Sequence, residues 1–306
     1  MTDQMHVIVV MAPSGALVNR MLIENAVSAV QGQIVEAHRV AVPVSLVDPR
    51  EVIKFLIDCP DPERLSAQLR QLSDEHGADI ALQSRLSRCR PYGLAVFDMD
   101  STLISCEVID ELARVAGVGA EVAEITDRAM RGELDFDESF RTRLALLKGL
   151  DAGAVDELAD QLPVQSGLSE MATTLKARGL KLAIFSGGFI PIAERLKNDY
   201  GFDHVVANEL EIRDGKVTGK IVPPIVNREY KAEALGALAS RLGIHTEHCI
   251  AVGDGANDLS MMALAGLGVA FHAKPAVRAA SPIEITHIGL DGVCYLMGHE
   301  GEFAVA

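Results

Sequence analysis

From Leu94 onward the sequence repeats one pattern: a short apolar run of strand length, then a segment with helical spacing. The runs are GLAVFD, KLAIFS, HVVANE, CIAVGD, LGVAF and EITHI. Strands separated by helices do not form hairpins; each crossover returns the chain to the starting edge, so the strands pair in parallel. Helices then cover both faces of the sheet. Residues 94–306 are therefore predicted to be an α/β domain around a parallel sheet. Two insertions interrupt the pattern. Glu107 to about Leu162 reads as helical, with Gly117 and Gly132 as stops. The stretch LEIRDGKVTGKI places Asp-Gly between alternating arms, a hairpin signal.

The first 84 residues read as a separate α+β unit. MHVIVVM, QIVEAHRVAV, EVIKFLI and ADIALQ are its strands, and Ser14 to Val30 has helical spacing through Val18, Leu22, Ala26 and Val30. A second helix is bounded by Asp61 as N-cap, Pro62 at its first position and Gly77 past its end. Its buried face is predicted as Leu65, Leu69, Leu72 and His76. The resulting β-α-β-β-α-β order is the ferredoxin-like arrangement. A plain structural or dimerising unit is one reading, with a homodimer as its consequence. Residues 85–93, with Arg85, Arg88 and Arg90 before Pro91 and Gly93, read as a solvated linker.

Composition removes several function classes. With 306 residues, about half of them apolar, the chain can build more than one packed core. A formal charge of −15 argues against binding the phosphate backbone of nucleic acid or an anionic membrane surface. No apolar run reaches the length of a membrane helix, and the first residues carry no basic, apolar leader. Five cysteines without a CxxC pair read as reduced thiols in the cytoplasm. The same negative charge means that any anionic substrate must be attracted locally.

Three predicted strands end in groups suited to one reaction. VFDMDST carries Asp98 and Asp100, LAIFSGG carries Ser186 and Gly187, and IAVGDGAND carries Asp254, Asn257 and Asp258. In an open α/β sheet ligands sit outside the carboxyl ends of the strands, so these groups meet at one crevice. The glycine turns admit a close approach of backbone to ligand.

DxDST, SGG after a strand, a lysine and GDGxND, in that order, resemble the haloacid dehalogenase superfamily of aspartate-dependent phosphatases. Within it, the run to Glu107 and the helix FDESFRTRLALLKGL are similar to the phosphoserine phosphatases. The matched region is Leu94 to the chain end. The resemblance implies a Rossmann-like sheet with a helical cap, and hydrolysis of O-phospho-L-serine to L-serine and phosphate, the last step of serine biosynthesis. The N-terminal unit resembles ACT-type amino-acid-sensing domains by element order alone, which implies an amino-acid effector.

Charge explains the paired acids. A carboxylate is ionised at neutral pH without help, so Asp98 can attack phosphorus directly. Asp100 would protonate the leaving oxygen and then deprotonate water. Two charges about 4 Å apart at an effective dielectric near 20 repel by roughly 4 kcal/mol. A phosphate dianion adds to that repulsion, so a divalent cation is required, and oxygen ligands select Mg²⁺. By the resemblance, Asp98 and Asp254 give carboxylate oxygens to it and Asp100 its main-chain carbonyl. Lys231 and the hydroxyl of Ser186 then hold the other phosphate oxygens, and Gly187 and Asn257 are expected to bind the substrate.

Phe136, Phe140, Arg143 and Leu147 share one helical stripe, which places a guanidinium among apolar groups, where it needs a partner. A substrate carboxylate gives one, and Glu107 complements an ammonium group. The resemblance adds Met130 and Phe136 as pocket walls, and the cap is expected to close over the site as a lid. Taken singly, each residue has an ordinary reading: Lys231 a solvated lysine, Glu107 a helix-end acid, Ser186 an N-cap, Met130 and Phe136 core, Asp258 a loop brace. Two rivals differ in class. One is a related enzyme that passes phosphate to an alcohol such as homoserine or acts on another small phosphoester; the other is a non-catalytic amino-acid sensor.

Overall fold

The computed structural model describes residues 5–42, 49–130, 133–298 and 303. The N-terminal unit consists of β1 (Met5–Pro13), α1 (Arg20–Ala29), β2 (Gln33–Val40), β3 (Arg50–Asp58), α2 (Pro62–His76) and β4 (Asp79–Ser84). Its strands pair antiparallel in the order β2-β3-β1-β4, the ferredoxin-like arrangement. α2 has the predicted ends: Asp61 accepts from the Arg64 N–H, Pro62 opens the helix, and Gly77 closes it at φ 66°. Leu65 and Leu69 are buried, whereas Leu72 and His76 are only partly covered and Ser73 takes the buried place between them. α1 is shorter than its spacing suggested. Gly15 turns the chain at φ 93°, and Asn19 caps the helix by accepting from the Leu22 N–H, so 14–18 lie outside it.

The remaining residues form a seven-stranded sheet with helices on both sides. After α3 (Arg85–Arg88) come β5 (Leu94–Phe97), then α4 (Val108–Val115), α5 (Gly119–Met130), α6 (Phe136–Leu146) and α7 (Gly153–Ala159). These four helices are the insertion read from the sequence. Gly117 takes φ 74° as its first stop, and Gly132 lies outside the described residues. The chain continues through α8 (Leu168–Ala177), β6 (Lys181–Phe189), α9 (Ile190–Tyr200), β7 (His204–Arg213) and β8 (Lys216–Val222). It ends with α10 (Arg228–Arg241), β9 (Cys249–Gly253), α11 (Leu259–Leu264), β10 (Leu267–Phe271), α12 (Pro275–Ala280), β11 (Glu284–Ile285) and α13 (Gly292–Leu296). The order β11-β10-β9-β5-β6-β7-β8 is parallel except for the β7–β8 hairpin, where Asp214 and Gly215 both take positive φ. β5, β6 and β9 are central, and their buried faces read as continuous apolar runs.

The two sheets are joined by buried polar contacts. Alternation along β1 sends Ile8 and Val10 toward α1 and α2, while Val7, Val9 and Met11 join the same apolar cluster as Val293 and Leu296 of α13. The predicted solvated linker is corrected here. Arg88 is fully buried, and its guanidinium donates to Gln83 Oε1 (2.8 Å), Tyr295 O (2.8 Å), Leu296 O (2.9 Å) and Met297 O (3.2 Å). Arg85 reaches Phe303 O and Arg90 reaches Gly266 O, so all three arginines tie the connector down. Arg50 meets Asp291 at 2.9 Å with both side chains buried. The carboxylate of Asp79 accepts from the N–H groups of Thr286, His287 and Ile288. That grip shortens the predicted strand EITHI to two residues, because its later N–H groups turn to an acid instead of β10.

Arg88→Ala leaves three buried carbonyls without their donor. Urea unfolding is expected to show a loss of about 3 kcal/mol or more. A change within experimental error would mean that solvent or neighbouring groups replace the guanidinium.

Candidate active site

The site is built at the carboxyl edge of the central strands. Beyond Phe97 the ladder runs one residue further, with the Asp98 N–H donating to Val252 O at 2.9 Å. This sets Asp98 beside Asp254, which follows β9. Lys231, fully buried on α10, reaches into the same place: its Nζ lies 2.7 Å from Asp98 Oδ1 and 2.7 Å from Asp258 Oδ1. Asp258 Oδ2 accepts from the Gly255 N–H, and Thr102 Oγ1 lies 3.3 Å from Asp254 Oδ1. Only glycine fits at 253, since a Cβ there would stand 2.4 Å from the Asp258 carboxyl carbon.

Burial and mutual repulsion set the charges. Asp98 is pushed well above the usual carboxylate range by burial and then by Asp258, with Lys231 opposing. Asp254 is pushed up to about 7 by burial and by Asp258. Burial alone would lower Lys231, but Asp258 and Asp98 raise it, so it stays an ammonium. One cation thus serves a space enclosed by more than one acid. Asp98, Asp254 and Asp258 each offer an oxygen within 4.8 Å of the others, and this buried cluster could hold a metal ion. An all-oxygen donor set with excess negative charge fits a hard divalent cation.

Asp100 lines the same cavity as Asp98 but makes its own contacts. Its Oδ1 accepts from the Val108 N–H at 2.9 Å, at the first turn of α4, and its Oδ2 lies 3.3 Å from Ser186 Oγ. Burial and the charge of Glu107 push Asp100 up to about 7. Ser186 is fully buried at the bend within β6 and accepts from the Gly188 N–H at 2.8 Å. A Cβ at Gly188 would come within 2.6 Å of Asp100 Oδ2, so this turn also demands glycine. Between the acids and α4, Ser101 holds the left-handed φ of 58°, uncommon for serine, and donates from Oγ to Glu107 Oε1 at 2.9 Å. Glu107 begins α4 without capping it by its side chain; Asp100 takes that place.

A cavity of about 450 Å³ opens over these groups, walled by the cap helices on one side and the strand ends on the other. Asp98, Asp100, Glu107, Gly187, Asp254 and Asn257 line it together with Phe136 and Arg143. Phe136 is 40% exposed and stacks at 5° on buried Phe140, which matches a pocket wall better than core. The side chain of Met130 lies outside the described residues. Arg143 keeps its Nε buried with no hydrogen-bond partner among the described residues, and Nη1 is 3.5 Å from Thr126 Oγ1. Burial lowers its pKa, opposed first by Asp110. A buried donor left unmade costs about 1–3 kcal/mol, so this guanidinium is poised for an anion.

Sequence reading left Asp258 as a loop brace or a ligand; it braces Gly255 and also belongs to the carboxylate cluster. Asp110 and Lys274 were missed, although both line the cavity. Asp110 was within reach, since it follows Glu107 by three residues on one helical face. Lys274 carried no such signal.

Residues 95–263 match the model of the haloacid dehalogenase-like hydrolases. A phosphoserine phosphatase of Mycobacterium tuberculosis is 43% identical over 260 residues, which are 85% of this chain and 60% of that one. This chain therefore spans less than two thirds of that relative's length. A haloacid dehalogenase family hydrolase from Salmonella enterica serovar Typhi superposes with TM-score 0.85 at 32% identity, covering 96% of this chain and 99% of the other. The unliganded structure of a probable phosphoserine phosphatase from Vibrio cholerae gives TM-score 0.75 at 36% identity, covering 95% and 86%. The chain belongs to the haloacid dehalogenase-like hydrolase family.

Proposed function

We propose that this chain is a phosphoserine phosphatase, hydrolysing O-phospho-L-serine to L-serine and phosphate through an aspartyl-phosphate on Asp98. The carrying observation is that Arg143, whose Nε has no hydrogen-bond partner among the described residues, lines the same cavity as Asp98 and Asp254, with Lys231 and Asp258 held behind Asp98. One end of that cavity suits a carboxylate and the other a phosphate. The relatives' names support the same substrate.

In this reading the phosphate group lies beside Asp98, with Ser186, the Gly187 backbone, Lys231 and Asn257 around its oxygens. Burial and Asp258 raise the pKa of Asp98, which corrects the expectation of an acid ionised without help. Lys231 favours its carboxylate, as a bound cation would, and that carboxylate oxygen attacks phosphorus as the bond to the serine oxygen breaks. Asp100, whose raised pKa keeps it partly protonated near neutrality, delivers its proton to that oxygen. Free serine then leaves. Asp100, now ionised, takes a proton from a water that attacks the phosphorus, and the bond to Asp98 breaks to release phosphate. Mg²⁺ held by the Asp98 and Asp254 carboxylates and the Asp100 carbonyl, with Asp258 beside them, would shield the negative charge gathered on the phosphoryl oxygens. At the other end Arg143 grips the substrate carboxylate and Glu107 its ammonium, while Phe136 walls the side chain.

The division that goes with this reading is an ACT-like unit at 1–84, a connector at 85–93 and the phosphatase at 94–306, with its cap at about 107–162, in a cytoplasmic protein. Among the described residues no helix is long and apolar enough to cross a membrane. An amino-acid effector would act at the N-terminal unit. The hollow between β1 and α1 measures only about 10 Å³, so an effector there must part them. Hydrogen exchange in α1 should then change with millimolar serine; an unaltered pattern would remove this role.

Phosphate release from O-phospho-L-serine should require added magnesium and stop in EDTA, with free phosphate still the product when homoserine is present. Asp98→Asn should lose at least about a thousandfold in kcat. Acid-quenched mass spectrometry of the wild type should find the phosphoryl adduct on Asp98. An adduct on another residue, or near-normal turnover of the variant, would overturn the mechanism.

Arg143→Ala should raise KM for phosphoserine at least about tenfold, and Arg143→Lys should recover part of it, since an ammonium cannot grip a carboxylate in two places. Equal KM values for wild type and alanine variant would place the substrate carboxylate elsewhere.

A further inference from the structure

The cavity has an imbalance that the proposed chemistry does not use. Five carboxylates line it, those of Asp98, Asp100, Glu107, Asp110 and Asp254, against two cations, Arg143 and Lys274. Lys231 stands behind the wall with both of its close contacts made to acids, at 2.7 Å each. Arg143 belongs to the end where Thr126, Asp110 and Glu107 lie. Lys274 lines the same cavity as Asp254 and Asn257, and its charge acts on Asp254 against burial, Asp258 and Glu107. It is exposed, and among the described residues it makes no ion pair.

The backbone fixes this lysine in place. His272, two residues earlier, takes the left-handed φ of 44°, a strained position for a residue with a Cβ. The His272 N–H donates to Ile285 O at 2.7 Å, and its ring Nε2 lies 2.9 Å from Ile288 O. Lys274 then sits in extended backbone at φ −63°, ψ 151° before Pro275, which opens α12. Further along α12, Arg278 holds Glu284 at 2.7 Å and Asp74 of α2 at 2.6 Å. The turn is thus tied to β11 and to the N-terminal unit, and the ammonium is carried at the cavity mouth.

We propose that Lys274 captures the phosphate group of the incoming substrate at the mouth of the cavity and hands it to the buried carboxylate cluster. The proposal rests on the phosphatase reading for its substrate, but its ligand is the phosphate group itself. A chain of net charge −15 repels a phosphate ester over distances up to a Debye length, about 8 Å at physiological salt. A free cation at the mouth reverses the sign of the field where entry occurs. Of the two cations that line the cavity, Lys274 is the one whose charge acts on Asp254, whereas Arg143 answers to Asp110 and Glu107, so Lys274 is assigned the phosphate group and Arg143 the substrate carboxylate. It is a binding residue, acting alike on the bound substrate and the transition state, so it governs KM and not kcat.

The test uses the full-length protein with magnesium, comparing wild type, Lys274→Met and Lys274→Arg. At about 20 mM salt, KM for phosphoserine should rise about fivefold in the methionine variant, with kcat within about twofold. Inhibition by inorganic phosphate should weaken by the same factor and inhibition by L-serine should not move. The arginine variant should restore both, and the difference should shrink as salt approaches about 0.5 M. Unchanged KM and phosphate inhibition at low salt would overturn the proposal, as would equal losses for phosphate and L-serine. Calorimetric titration with inorganic phosphate reads the same lysine without turnover. Failure of the phosphoserine substrate is therefore distinguishable from failure of this inference.

Discussion

Lys231 lies between Asp98 and Asp258 in a space closed to water, and the arrangement of the active edge follows from that contact. Removing the ammonium would leave two buried carboxylates without their cation, an arrangement that breaking a buried ion pair makes costly by several kcal/mol. The contact also joins three distant parts of the chain: the end of β5, the first turns of α10 and the loop after β9. Each must arrive in register for the charges to balance. Glycine at 253 lets Asp258 pack against the strand end, and the Gly255 N–H takes its second oxygen. The balance is incomplete by design of the fold, since Asp254 adds a further acid to the same place. A cluster that is stable with one lysine but still electron-rich is suited to an added hard cation and then to an anionic phosphoryl group.

Much of this was legible in the sequence because it depends on local pattern. The parallel sheet could be read from six apolar runs, since strands buried on both faces need continuous apolar sequence. The ends of α2 followed from Asp61, Pro62 and Gly77, whose effects act within a turn. The hairpin at Asp214-Gly215 required only the two positive φ values that this pair favours. Asp98, Asp100, Ser186 and Asp254 could be placed at one edge because each follows a strand directly.

What escaped was decided by contacts across the chain. Arg88 looked like a solvated linker residue because its partners, the carbonyls of residues 295–297, lie about two hundred positions away. The same holds for EITHI, which has the composition of a strand but gives its N–H groups to Asp79. α1 was overextended because apolar spacing continued through residues 14–18, while the turn at Gly15 and the cap at Asn19 decided where the helix starts. Lys274 belongs to this class too. Its place at the cavity mouth depends on the turn at His272 and on the far anchoring of α12, neither of which periodicity reveals.

Asp100 connects the chemistry to the cap. One of its oxygens is fixed by the Val108 N–H at the first turn of α4, and the other lies by Ser186 on the core sheet. The acid is therefore shared between the helical insertion and the strand ends. A carboxylate accepting from a helix N-terminus is stabilised in its ionised form, whereas burial and Glu107 act in the opposite sense and prevail. Displacing α4 removes the opposing contribution as well as the geometry. The protonation state of Asp100 and the position of α4 are thus two aspects of one contact, so the insertion that walls the cavity also holds the proposed proton-transfer group in place.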